Sequence, residues 1–96
     1  MKPGKKDIRY KILITGLQLE ELHKYTVDML EAFGLDRKIE NYKGTRPITL
    51  YSWDLDCLED VIFLALRDPK EYPDKQSDEH KAMHELYVRI KNLRLE

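Results

Sequence analysis

The segment from Ile48 to Leu66, ITLYSWDLDCLEDVIFLAL, changes its hydrophobic period in the middle. Ile48, Leu50 and Ser52 alternate with Thr49, Tyr51 and Trp53, the pattern of a pleated strand whose side chains point to opposite faces. From Asp54 onward Leu55, Leu58, Val61, Ile62, Ala65 and Leu66 recur at three- and four-residue steps, the pattern of a helix. Cys57, Phe63 and Leu64 fill much of the opposite side, which predicts a helix buried on most of its circumference. Such a helix needs cover from several other elements, so it is expected at the centre of the domain.

The flanking sequence supplies that cover. In IRYKILIT, Ile8, Tyr10, Ile12 and Ile14 alternate with Arg9, Lys11, Leu13 and Thr15, a strand with one apolar face. Thr15 and Gln18 have the spacing of a capping box, and Ile14 and Leu19 that of a hydrophobic staple. A helix is therefore expected from there to Phe33, with Leu19, Leu22, Thr26, Met29, Leu30 and Phe33 on one face and Gly34 as its left-handed stop. Residues 36–46 read either as a short helix over 37–43 or as strand. The tight Lys43-Gly44-Thr45 connection favours a hairpin, with strands near 38–43 and 46–52. Pro47 then belongs at the start or edge of its strand, because it has no amide donor.

The central helix should run from about Asp54 to Arg67, capped by Asp54 or Ser52, and Asp68-Pro69 ends it. Trp53 and Leu58 would staple its start if Asp54 is the cap. After a linker over 70–76, Ser77 is a natural cap for a last helix reaching about Leu93. Asp78 and Glu79 suit the positive end of its dipole, and Arg89, Lys91 and Arg94 the negative end. Met83, Leu86, Ile90 and Leu93 form its apolar stripe, with Ala82 and Tyr87 alongside. The expected fold is α+β: a small two- to three-stranded, mainly antiparallel sheet packed on three helices in the order β-α-β-β-α-α. Residues 1–7 read as a flexible basic tail and 8–96 as a single domain.

Composition narrows the class. With 42% apolar and 36% charged residues but a formal net charge of only −1, the chain has the makings of a core and lacks the charge imbalance of a disordered polypeptide. The charge is unevenly placed. Lys2, Lys5, Lys6, Arg9 and Lys11 face Asp7 alone within residues 1–16, a net of +4 that the remaining chain more than offsets. Cys57 is the sole cysteine, so no internal disulfide can form, and its place in a core helix suggests a thiol in a reducing compartment. No apolar run approaches the roughly eighteen residues of a membrane span, and no apolar stretch of the secretory type follows the basic start. A cytoplasmic location is expected, with no membrane partner.

Four groupings bear on function. His80 and His84 share a helix face with the i,i+4 spacing of metal ligands, but the order is Glu79-His80-x-x-x-His84, not HExxH, and further ligands are missing. Asp54, Asp56, Glu59 and Asp60 crowd the start of the central helix, where carboxylates are expected from the dipole alone. Cys57 sits among apolar residues that disfavour a thiolate. These groupings assign no catalytic residue, metal set or cofactor.

The basic residues Arg9, Lys11, Arg37, Lys38, Lys43 and Arg46 form a candidate nucleic-acid surface, with Tyr42, Tyr51 and Trp53 as stacking faces. The same cations would also guard the edges of a small sheet against unwanted pairing. Met83, Leu86, Tyr87 and Ile90 form a candidate protein interface, since a heptad-like stripe can serve a partner as well as its own core. A non-enzymatic binding or regulatory module acting through a protein partner or homodimer is the leading expectation. Nucleic-acid binding through a basic sheet is the alternative, and a metal-dependent enzyme the third reading.

Overall fold

The computed structural model of the chain describes residues 9–29 and 34–95. The proposed tail, with Lys2, Lys5 and Lys6, lies outside these residues, as do Ile8, Leu30 and Phe33. Strand β1 (Arg9–Ile12) leads to helix α1 (Gly16–His23) and a 3₁₀ segment (Thr26–Met29). Helix α2 (Leu35–Asn41), strand β2 (Ile48–Tyr51), helix α3 (Ser52–Arg67) and helix α4 (Asp78–Leu95) follow. The fold is α+β, as the hydrophobic periods predict.

The strands pair antiparallel, with Arg9 opposite Tyr51, Tyr10 opposite Leu50, Lys11 opposite Thr49 and Ile12 opposite Ile48. Residues directly opposite share a face. One side of the sheet therefore carries Arg9, Lys11, Thr49 and Tyr51, and the other turns Tyr10, Ile12, Ile48 and Leu50 toward the core.

The expected hairpin is not formed: residues 35–41 are helical, and among the described residues the sheet has two strands. Leu35 and Ile39, four apart, are both fully buried, so the helical period sets this segment and the alternation around Ile39 is incidental. Leu, Arg, Lys and Glu in LDRKIEN also favour a helix. The tight connection is real but joins a helix to a strand. Gly34, expected as a left-handed stop, has φ +76° and stands as the cap of α2.

The first helix is also shorter than expected. It stops at His23, and Lys24, Tyr25 and Asp28 donate to carbonyls three residues back, the 3₁₀ pattern. The run Tyr25-Thr26-Val27 has poor helix propensity, and tightening the chain here buries Tyr25 while Met29 still reaches the core. Thr15 occupies the cap position in extended conformation but makes no side-chain capping bond. Gln18, its expected partner, accepts from Arg89 of α4 at 2.9 Å instead.

Helix α3 begins at Ser52 with Tyr51 in the cap position, so neither Ser52 nor Asp54 is the cap expected. Asp54 is the third residue of the helix, and its carboxylate reaches back to accept from the Tyr51 amide at 3.0 Å. At α4 the expected cap is present, with Ser77 Oγ accepting from the His80 amide at 3.2 Å. The two long helices run antiparallel, fixed where Arg94 near the end of α4 meets Asp56 at 2.6 Å and Glu59 at 2.8 Å near the start of α3. Leu55, Leu58 and Ile62 point into one core with Met83, Leu86 and Ile90 of α4, Leu22 of α1, and Ile14 and Leu50 from the sheet side.

The 42–47 connection is pinned across the start of α1. The Tyr42 hydroxyl donates to the Arg46 carbonyl at 2.6 Å and accepts from the Ile14 amide at 3.3 Å. Gly44 adopts φ +76°, and a Cβ there would stand 3.0 Å from the Ile14 carbonyl oxygen and 3.1 Å from Leu19 Cδ2. Gly44→Ala should therefore destabilise the protein by about 1–3 kcal/mol, since both the left-handed backbone and the crowded Cβ oppose it. Urea titration against wild type measures this, and an unchanged midpoint would mean that the connection is free to re-route.

Candidate functional site

Helix α3 has three differently treated sides. Its inner side carries the buried residues just named. One flank meets α4, where Phe63 and Tyr87 stack at 6.1 Å beside the Arg94 ion pairs. The opposite flank is open. Leu64 stands there 64% exposed, and Phe63 on the α4 flank is still 43% exposed, so the helix is not buried on most of its circumference as its composition predicts. Helix α4, strand β2 and the 3₁₀ segment pack on α3, and periodicity alone assigned cover to both flanks.

The open flank is one wall of a groove of about 540 Å³. Cys57, Asp60, Val61, Leu64, Ala65 and Asp68 recur along it at helical spacing. Tyr25, just before the 3₁₀ segment, and Asp28 within it form the facing wall, and Glu71 from the α3–α4 connection lines the groove beside Tyr25. The walls are apolar low down and acidic at the rim. Asp28, Asp60, Asp68 and Glu71 contribute four carboxylates, and no lysine or arginine lines the groove among the described residues.

The Glu71 side is rigidly built. Tyr25 donates its hydroxyl to Glu71 at 3.2 Å, and Tyr72 donates to the buried Glu21 at 3.0 Å. Lys24 pairs with the other Glu21 oxygen at 2.6 Å. Burial raises the Tyr25 phenol above its ordinary range. Burial raises Tyr72 further, with added hydrogen bonding to Tyr25 and Glu21. Both phenols therefore stay protonated donors, and the connection after α3 is strapped to α1 and to Tyr25 at two points.

The basic candidates are placed differently. Arg9 and Lys11 project from the outer face of the sheet beside Tyr51. Lys38 lies 5.2 Å from the Tyr51 ring centre and bonds the buried Asp54 at 3.3 Å. Trp53 stacks on that same tyrosine at 4.6 Å. Arg37 is exposed on α2, while Lys43 and Arg46 are exposed on the connection at the Ile12–Ile48 end of the sheet. Of the six cations, two thus lie on the strand pair, two on α2 and two on the 42–47 connection.

The interface candidates need correction. Met83, Leu86 and Ile90 are fully buried within the chain, because their stripe closes on α3 and α1. Tyr87 alone stays half-exposed, with Phe63 stacked on it and Lys91 5.0 Å from its ring centre. The acidic start of α3 resolves into separate roles: Asp54 accepts from the Tyr51 amide and pairs with Lys38, Asp56 and Glu59 hold Arg94, and Asp60 faces the groove. His80 and His84 stack at 6.4 Å with Tyr72 edge-on to His80. Among the described residues no group of three or more His, Cys, Asp or Glu side chains is placed to hold a metal ion. Among the same residues, no helix is long and apolar enough to cross a membrane. Compared with known proteins, the chain matches no family model, no curated protein and no solved structure.

Proposed function

We propose that this chain is a non-enzymatic binding module that docks a protein partner against the open flank of α3. The observation that carries this reading is the 64% exposure of Leu64 beside a groove floored by Val61 and Ala65, on the flank of α3 away from α4. Apolar side chains left uncovered in a concave, otherwise well-built surface are the usual mark of a docking site. The partner is a different protein rather than a second copy. A symmetric pair would set the acidic rim against itself, with Asp60 and Asp68 facing their own counterparts. The sole cysteine, half-buried in the groove wall, suits a reducing, cytoplasmic setting.

A photo-crosslinking residue at position 64 is expected to give a discrete adduct in lysate of the source cells, and the same residue at position 49 on the sheet to give none. The partner identified by mass spectrometry and then purified should bind wild type and lose at least about tenfold on Leu64→Glu, the loss of one apolar anchor in a desolvated contact. Adducts at 49 and not at 64 would move the function to the sheet. No adduct at either position would sink the reading.

The second reading is nucleic-acid contact through the sheet. It draws on Arg9 and Lys11 sharing one face with Tyr51. Because Trp53 and Lys38 already engage the Tyr51 ring, that face offers charge more than a free stacking platform. A gel shift that fades with salt and with Arg9→Glu would favour this reading over the groove.

A further inference from the structure

Resting on the docking reading above, we infer that the groove on α3 accepts a basic amphipathic helix: one apolar stripe flanked on both sides by lysine or arginine. The walls set the shape of the occupant. Both walls are helical, α3 and the 3₁₀ segment, so neither offers a free strand edge. An extended peptide laid here would leave its own amides and carbonyls without protein partners. A helix brings its hydrogen bonds with it and needs only side-chain contacts, the helix-in-groove mode of recognition.

The length also fits. The lining of α3 runs from Cys57 to Asp68, about 16 Å at the α-helical rise, which matches roughly three turns of a bound helix. Apolar anchors at i and at i+3 or i+4 would meet Val61, Leu64 and Ala65.

Charge selects the flanks. Asp60 and Asp68 stand on the α3 wall and Asp28 on the facing wall, so carboxylates border the apolar floor on both sides. Arg67, adjacent in sequence to Asp68, is turned over the Phe63 ring at 5.2 Å and does not line the groove. An acidic or neutral helix would gain only the apolar contact. A basic one gains attraction at each rim, together with faster encounter at low salt.

The test uses three synthetic fourteen-residue amphipathic helices with the same leucine stripe and with lysine, glutamine or glutamate beside it. A fourth peptide carries the lysines and a central proline. Titrated into the ¹⁵N-labelled full chain, the lysine peptide should shift the amides of Val61, Leu64 and Ala65. The glutamate peptide should bind at least tenfold more weakly, and the proline peptide should fail to saturate. Asp60→Asn with Asp68→Asn, which keeps the Asp68 side-chain acceptor for the Lys70 amide, should weaken the lysine peptide about fivefold, the sum of two modest exposed charge contacts.

Equal affinity for the lysine and glutamine peptides at this surface would overturn the basic partner while leaving a docking groove in place. Equal affinity for the proline peptide would overturn the helix. Shifts mapping to the sheet instead of α3 would overturn the inference as a whole, whatever the crosslinking at position 64 shows.

Discussion

Ile62→Ala is expected to destabilise the protein by about 3–4 kcal/mol, while Leu64→Ala, two residues along the same helix, changes stability by less than about 0.5 kcal/mol. Ile62 is fully buried where α3 meets the rest of the core, so truncation removes apolar contacts and leaves a cavity that its neighbours fill only in part. A chain of this length holds a net stability of only about 5–14 kcal/mol, so a loss of that size lowers the melting temperature by well over about 10 °C. Leu64 stands mostly in solvent and loses little on truncation. Parallel urea and thermal denaturation of the two variants checks both halves. A large loss at Leu64 would mean that the open flank is covered within the chain, and it would remove the basis of the docking site.

That pair of residues also marks the limit of what the sequence conveys. Three- and four-residue steps from Leu55 to Leu66 establish a helix and its inner side, because burial against one neighbour leaves that signature. They carry no information on which flank a second neighbour covers. That depends on the path of α4, set by contacts such as Arg89 with Gln18 across seventy-one residues and Arg94 with Glu59 across thirty-five. The Met83–Leu86–Ile90 stripe has the same limit, since packing within a chain and packing between chains ask for the same pattern.

Local rules read well where local energetics decide. Ser77 caps α4, and Arg9 and Lys11 face away from the core, whereas Gly34 takes the left-handed conformation at the start of α2 and not as the stop of the first helix. They misled where two periods fitted equally, as at Ile39, and where a side chain had a better distant partner, as at Gln18. One signal for the groove was present in the sequence: Asp60 and Asp68 fall on the same face of α3 as Leu64, an acidic and apolar mixture that a core-facing flank would not carry.

Stability should fall steeply above about pH 10, and Tyr72 is the chief reason. A phenol with an ordinary pKa near 10 in the unfolded chain ionises there, whereas burial keeps Tyr72 and Tyr25 protonated in the folded chain to higher pH. The folded pKa values lie above the unfolded ones, so the stabilisation is fully present below about pH 10 and is lost as pH rises toward the folded values. Each group contributes a slope of about 1.4 kcal/mol per pH unit in that window, or about 2.7 kcal/mol per unit for the two together. Lys24, raised chiefly by its bond to Glu21, acts in the same direction.

Tyr72→Phe separates the phenol from the general alkaline response. Near neutral pH it should cost about 1–3 kcal/mol, because the buried Glu21 carboxylate loses the donor held at 3.0 Å. Above about pH 10 its slope should be shallower by about 1.4 kcal/mol per unit, so wild type loses its advantage within about two further units. Urea denaturation of both proteins from pH 7 to pH 12 measures the two curves. Parallel curves would show that Tyr72 is solvated in solution and that the strap between the α3–α4 connection and α1 is not closed. With that strap open the groove would lose its fixed lining at Glu71, and helix binding should weaken in Tyr72→Phe as well.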